Sequence, residues 1–211
     1  MEHFHARQVW LQIDQRALLM KDTWYILLLL IYPFVRIAGK INWRWGRPFK
    51  CRKEKLDRIR DKIKPGMVVL THKEYELTNY FIPGYWTHTA MIVSEEEIVE
   101  AVRQGVMKKR FEDFFSTVDD FLILEPRFCD STVMEKATRF AENVIGYSYN
   151  FFFIPREKSF FCTELIFNAY AYASGKDLQR PDQRKQEWDF AGGSSILPQK
   201  LAELCQYWKA I

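Results

Sequence analysis

Three side chains stand in settings where their types could do chemistry: Cys162, His88 and Glu100. Cys162 lies in the stretch FFCTELIFNAY, residues 160–170, where an apolar approach ends and helical spacing of Leu165, Ile166, Ala169 and Tyr170 begins. A thiol at a helix N-terminus sits at the positive end of the helix dipole, which favours thiolate. Thr163 and Glu164 are suited to occupy the free N–H groups of that first turn. Local context leaves two readings of this thiol: a nucleophile, or an inert buried cysteine. His88 opens the strand-like run THTAMIV, residues 87–93. A histidine there is either satisfied in or near a core or is a base. Glu100 falls inside IVEAV, residues 98–102, and a carboxylate buried in so apolar a strand requires a partner.

Hairpin geometry supplies one. With residues 93–97 as the turn, Ile92 pairs with Ile98 and Glu100 faces Ala90. Glu100 is then the diagonal, same-face neighbour of His88, within reach of a long side chain. One hairpin thus holds an imidazole and its orienting carboxylate, and the thiol approaches from a helix. Nucleophile, base and orienter are the parts of a cysteine hydrolase. The sequence has no HExxH, no Gly-rich phosphate loop and no CxxC pair, so neither a metal nor a cofactor is expected.

The elements that must position these groups follow from turn signals and periodicity. Pro65-Gly66 marks a boundary, after which the pattern predicts strands over 67–71, 87–93, 98–102, 106–110 and 121–125. Asp130 caps a predicted helix from Ser131 to about Asn143; a second runs from Cys162 to Ser174, with Gly175 as its stop. Pro198 opens a last predicted helix, 199–208, and 179–186 reads as a charged loop. Strands first and helices after suggest an α+β fold, an antiparallel sheet packed against helices. Among 211 residues, 48% hydrophobic and 27% charged, a sizeable core can form, which excludes a mainly disordered chain or a multi-span membrane protein. Cys51, Cys129, Cys162 and Cys205 are too scattered for a disulfide framework.

The N-terminal part has a different character. Residues 24–35 are twelve consecutive apolar residues, Pro33 included, bracketed by Asp22 and Arg36. That is short of the roughly 20 a spanning helix uses. It is also a poor signal peptide: the preceding region is too long and 36–40 is no obvious cleavage site. Trp24, Tyr25 and Tyr32 sit in the ends of the run, with Trp43 and Trp45 beyond. From Lys40 to Lys64 there are eleven Lys/Arg against three Asp/Glu, a net of +8 that leaves −4 for the rest of a chain whose total is +4. Edge aromatics and one-sided positive charge suit a membrane interface, as a spanning or an interfacial helix; the competing reading is a helix packed on the domain. The expected organisation is a membrane-associating helical and basic segment, 1–64, and a catalytic domain, 65–211, on the cytoplasmic side of a bacterial inner membrane. Nucleic acid is the least favoured partner, because the basic block adjoins the apolar run and the domain beyond it is net acidic.

Four segments in this order, PGMVVLT (65–71), WTHTAMIV (86–93), IVEAV (98–102) followed by Gly105-Val106, and FCTEL (161–165), resemble the YaeF/YiiX-like permuted papain-like hydrolases of the NlpC-type superfamily. Lecithin:retinol acyltransferase-like proteins are relatives with the same permuted order. The resemblance covers roughly Pro65 to Pro198, and implies Cys162 as nucleophile, His88 as general base and Glu100 as orienter, with a thioester acyl-enzyme between two half-reactions. It departs mildly at Thr87 and Thr163, where relatives often carry Ser, and does not extend to the first sixty-odd residues. Relatives act on peptide amides, including cell-wall peptides, or on lipid acyl groups. Tyr85 and Trp86, just before His88, and Tyr149 are candidates to wall an acyl or lipid pocket, with core packing as the alternative; His72 is expected to be solvated. A non-catalytic membrane-binding module is the rival from another class.

Overall fold

The structure, a computed structural model, describes residues 46–50, 53–76, 79, 82–151, 158–175, 189–190, 193–194, 197–203 and 208–211. All fall within one compact unit, Ile41–Ile211. The apolar run 24–35 and the loop 179–186 lie outside the described residues.

Alternation of apolar residues produces a six-stranded sheet. Its strands are β1 (Val68–His72), β2 (His88–Ile92), β3 (Glu97–Val102), β4 (Gly105–Arg110), β5 (Asp120–Pro126) and β10 (Trp208–Ala210), in the order β10-β5-β1-β2-β3-β4 and antiparallel throughout. The register of β2 on β3 is the expected one: Ile92 faces Ile98 and Ala90 faces Glu100. A tight turn then joins β3 to β4 at Gly105, whose φ of 118° suits glycine; a Cβ there would stand 2.5 Å from the carbonyl oxygen of Tyr147.

Both faces of the sheet are covered. On one side Val68, Leu70, Met91, Val99 and Leu124 meet α3 (Ser131–Asn143) and α4 (Cys162–Ser174) through Ala137, Ala141, Leu165, Ile166 and Ala169. On the other, Val69, Ala90, Ile92, Ile98 and Ile123 meet α2 (Phe111–Phe115) and α1 (Lys53–Asp57) through Phe111, Phe114, Phe115 and Leu56. Each such large apolar side chain contributes about 1.5–3 kcal/mol when fully buried. Asp130 caps α3 by accepting from the Val133 N–H at 2.9 Å, and Gly175 ends α4 in the left-handed region at φ 59°.

The last helix departs from expectation. Instead of running to Trp208, α5 spans Pro198–Glu203, and Trp208 begins β10 against Pro126 of β5. Tertiary packing overrides the local helical pattern, for Trp208 is buried edge-on against Tyr170 and Phe128. The basic block also spends charge on the domain. Lys50 pairs with Glu74, Lys55 with Asp120, Arg60 with Glu112 and Lys64 with Glu125. Short two-stranded pairings of β6 (Ser148–Tyr149) with β7 (Ser159–Phe160), and of β8 (Asp189–Phe190) with β9 (Gly193–Ser194), complete the described elements.

Candidate active site

His88 is the first residue of β2 and Cys162 the first of α4, and the two side chains lie close enough for each to shift the ionisation of the other. On its far side the imidazole is held by Glu100: Nε2 lies 2.8 Å from Oε2. With Nε2 taken by the carboxylate, Nδ1 is the nitrogen left for the thiol. The register explains the carboxylate contact, because Glu100 and Ala90 are opposite and His88 is two residues from Ala90 on the same face. The second oxygen of Glu100, Oε1, lies 2.6 Å from Lys109 Nζ on β4.

Burial makes these contacts strong. Glu100 keeps 2% of its side chain exposed and His88 20%, and Cys162 is buried. For Glu100, burial alone would raise the carboxyl pKa, but the hydrogen bond and charge of His88, with Lys109, bring it down to about 2. For His88, burial alone would favour the neutral ring. The hydrogen bonds and charges of Cys162 and Glu100 outweigh it and push the imidazole up from 6.5 to about 9. For Cys162, burial again opposes ionisation, and His88 together with the backbone and hydroxyl of Thr89 lowers the thiol below its ordinary value. The two shifts run in the same direction: each partner favours the charged form of the other, thiolate beside imidazolium.

The helix start is braced beside the thiol. Glu164 Oε2 accepts from the Phe161 N–H at 3.2 Å and from Asn150 Nδ2 at 3.1 Å, so the expected first-turn role of Glu164 is filled. Tyr149, on β6, is close enough for its phenol to be raised first by burial and then by the charges of Cys162 and Glu164. The other two aromatic candidates go to different places. Trp86 packs against the core that carries α4, whereas Tyr85 is half exposed and its hydroxyl donates to Asp120 at 3.1 Å. His72 is not simply solvated. Its Nδ1 is 2.6 Å from the Tyr85 carbonyl oxygen and its ring stacks on the phenol at 4.3 Å. Gln199 Oε1 accepts from the Tyr85 and Trp86 N–H groups at 3.0 and 3.2 Å, which ties α5 to the strap ahead of His88.

Lys109 was not singled out from the sequence, although the signal was there. A two-residue turn at 103–104 sets Ile98 opposite Lys109, which makes Lys109 the other diagonal neighbour of Glu100. Among the described residues, no group of three or more His, Cys, Asp or Glu side chains is placed to hold a metal ion.

His and Glu on an early hairpin and Cys opening a later helix over an antiparallel sheet is the arrangement of a permuted papain-like protein. Residues 62–211 match the family described as permuted papain-like amidase enzyme, YaeF/YiiX, C92 family, and the chain belongs to that family. A solved structure, that of the metalloprotein yiiX from Escherichia coli O157:H7, is similar in fold at 13% identity and a TM-score of 0.55, covering 70% of this chain and 96% of that one. No curated protein matches the chain. The family places it among hydrolases of the amidase type.

Proposed function

We propose that this chain is a cysteine hydrolase or acyltransferase that opens an amide or ester bond through Cys162, His88 and Glu100. One observation carries the reading: a largely buried imidazole bonded to a buried carboxylate at 2.8 Å, with a thiol at a helix N-terminus close enough to be lowered by it. The Cys162 thiolate attacks the acyl carbon, forming the C–S bond. His88 imidazolium then gives its proton to the departing nitrogen or oxygen as the C–N or C–O bond breaks. A thioester and neutral His88 remain. His88 next takes a proton from water, or from another acceptor, whose oxygen attacks the thioester carbon and releases the thiolate. Glu100 holds the ring and stabilises its charged form throughout. The Cys162 backbone N–H, at the first position of α4, is an oxyanion donor in this scheme, because helices leave such groups without intrahelical partners.

The substrate part of the proposal is an acyl lipid or lipidated molecule at a membrane surface. Its support is the apolar run 24–35 with its flanking aromatics and the adjacent basic block, not the triad. Tyr149 beside Cys162 and Trp86 one step ahead of Thr87 and His88 are offered as its apolar wall. A second reading is a peptide amidase acting on cell-wall peptides, which the amidase description of the family favours. No helix among the described residues is long and apolar enough to cross a membrane.

The test is turnover by the intact chain in detergent on two panels, acyl lipids with lipidated peptides, and soluble cell-wall peptides, each beside Cys162→Ala. Release of acyl product by the wild type alone, with a thioester trapped by hydroxylamine, is expected. Efficient cleavage of soluble peptides with phospholipids ignored would remove the lipid reading and leave the amidase one. Equal inactivity of wild type and variant, with Cys162 unreactive to electrophiles, would leave the binding-module alternative.

A further inference from the structure

Glu100 is a buried carboxylate with a basic group at each oxygen, whereas Glu125, which also meets two cations, is 27% exposed. His88 Nε2 is 2.8 Å from Oε2, and Lys109 Nζ is 2.6 Å from Oε1. The three residues come from three successive strands and share one face. Ala90, two residues from His88, faces Glu100; Ile98, two residues from Glu100, faces Lys109. They form a diagonal row across β2, β3 and β4, which the antiparallel pleat brings within side-chain reach. Lys109 keeps 33% of its side chain exposed, against 2% for Glu100. The row therefore runs from the thiol, through a buried carboxylate, to an ammonium in contact with water.

We propose that Lys109 is a positioning residue of the site, holding the Glu100 carboxylate in line with His88 and counterbalancing its charge so that the imidazolium can give up its proton. The inference rests on the proposed roles of Cys162, His88 and Glu100. A buried carboxylate with one partner would commit its whole charge to that partner. Among the described residues Oε1 has no hydrogen-bond partner of its own, and the Lys109 ammonium beside it neutralises part of the field of Glu100 as an ion pair. Removing the ammonium leaves His88 as the counter-ion of Glu100, so the imidazolium binds its proton more tightly and becomes a poorer acid toward the leaving group. Neighbouring Lys108 is not part of the row, as it is spent on Glu97 at 2.9 Å and Glu142 at 3.0 Å. Among the described residues, the ionisable groups facing the His88–Glu100 pair are Cys162 from α4, Lys109 from β4, and Tyr149 from β6 by way of Cys162.

The test needs no natural substrate. Chloroacetate alkylates a thiolate beside an imidazolium faster than one beside a neutral ring, because the anion is drawn to the positive charge. Its rate with Cys162 should rise as the ion pair forms and fall as His88 loses its proton. In Lys109→Met, which keeps the apolar stem, the alkaline limb should move up by about half a pH unit, the size expected of a nearby cation partly screened by water. Lys109→Arg should restore it. In a Glu100→Gln background, Lys109→Met should move the limb by much less, because its effect passes through the carboxylate. Histidine NMR, with His88 assigned from His88→Ala, should report the same upward shift. An alkaline limb unmoved in Lys109→Met, or moved equally in the Glu100→Gln background, would overturn the assignment. Failure of the wild type to show enhanced Cys162 alkylation would instead overturn the underlying catalytic reading.

Discussion

Two thiols among the described residues are partly or wholly buried, and their surroundings drive them in opposite directions. Cys129 lies between β5 and α3, where burial first and the Asp130 charge second push its thiol up to about 11. Cys162 is more deeply buried, yet its thiol is lowered, because His88 and Thr89 more than offset the desolvation. Residue type is shared, and burial opposes ionisation in both. What differs is the adjacent group: a carboxylate beside one, an imidazole held by a buried carboxylate beside the other. A buried cysteine becomes a nucleophile only where the fold supplies a fixed counter-charge.

Removal of that counter-charge should have the largest effect. Cys162→Ala should abolish turnover, and His88→Ala should lower kcat/KM by about a thousandfold or more, as losses of nucleophile and base do elsewhere. The second histidine, His72, whose contacts are the Tyr85 carbonyl and ring, should tolerate His72→Gln within about threefold. Steady-state kinetics on the responsive substrate panel reads both. A comparable collapse from His72→Gln would break the distinction between a charged partner and a carbonyl partner.

Next in size is the contrast between the thiols themselves. At neutral pH iodoacetamide should label Cys162 about 100-fold faster than Cys129 or more, with sites read by mass spectrometry, because the Cys129 thiol is held up at about 11 while His88 lowers that of Cys162. Equal labelling would show that His88 leaves the Cys162 thiol unactivated. Glu100→Gln should lower the His88 value from about 9 toward its ordinary 6.5 and pull the alkaline limb of Cys162 reactivity down with it, which sharpens the same comparison.

That variant has a stability counterpart whose sign is fixed. The Glu100 carboxyl is depressed from 4.5 to about 2 on folding, so its contribution is fully present above 4.5 and is lost as pH falls through about 2. His88 is raised, so its contribution is complete below 6.5 and is lost as pH rises through about 9. Urea unfolding of wild type and Glu100→Gln across pH should show their difference shrinking at the acid end. A difference constant from pH 7 down to pH 2 would contradict the depressed carboxyl. The smallest effect expected is that of Tyr85→Phe, which removes one half-exposed hydrogen bond to Asp120. It should lower stability by about 1 kcal/mol or less and leave Cys162 labelling unchanged.

Much of this arrangement was legible in the chain. The bounds of α3 and α4 follow from Asp130, Gly175 and the apolar spacing between their ends, since caps and periodicity are local signals. The pairing of Ile92 with Ile98 follows from a turn that leaves the apolar residues of both strands on buried faces, and strand geometry then puts Glu100 beside His88. Other elements were not legible. Nothing local distinguishes Trp208 as a strand residue; its place is decided by Pro126, Tyr170 and Phe128, distant in sequence. The same holds for α1, whose Leu56 is buried among phenylalanines while the surrounding cations reach carboxylates of the domain.

The sequence by itself determined the chemistry available: one cysteine opening a helix, one histidine opening a strand, and a glutamate two pleats away on the partner strand. Spacing along a chain fixes which residues share a face, because helix and strand periods are set by backbone geometry. The tertiary structure alone decided that the start of α4 meets the start of β2, that burial withholds water from Glu100, and that Lys109 reaches its second oxygen. Those are matters of packing between distant segments, and the strength of a charge interaction depends on the packing that excludes water from it.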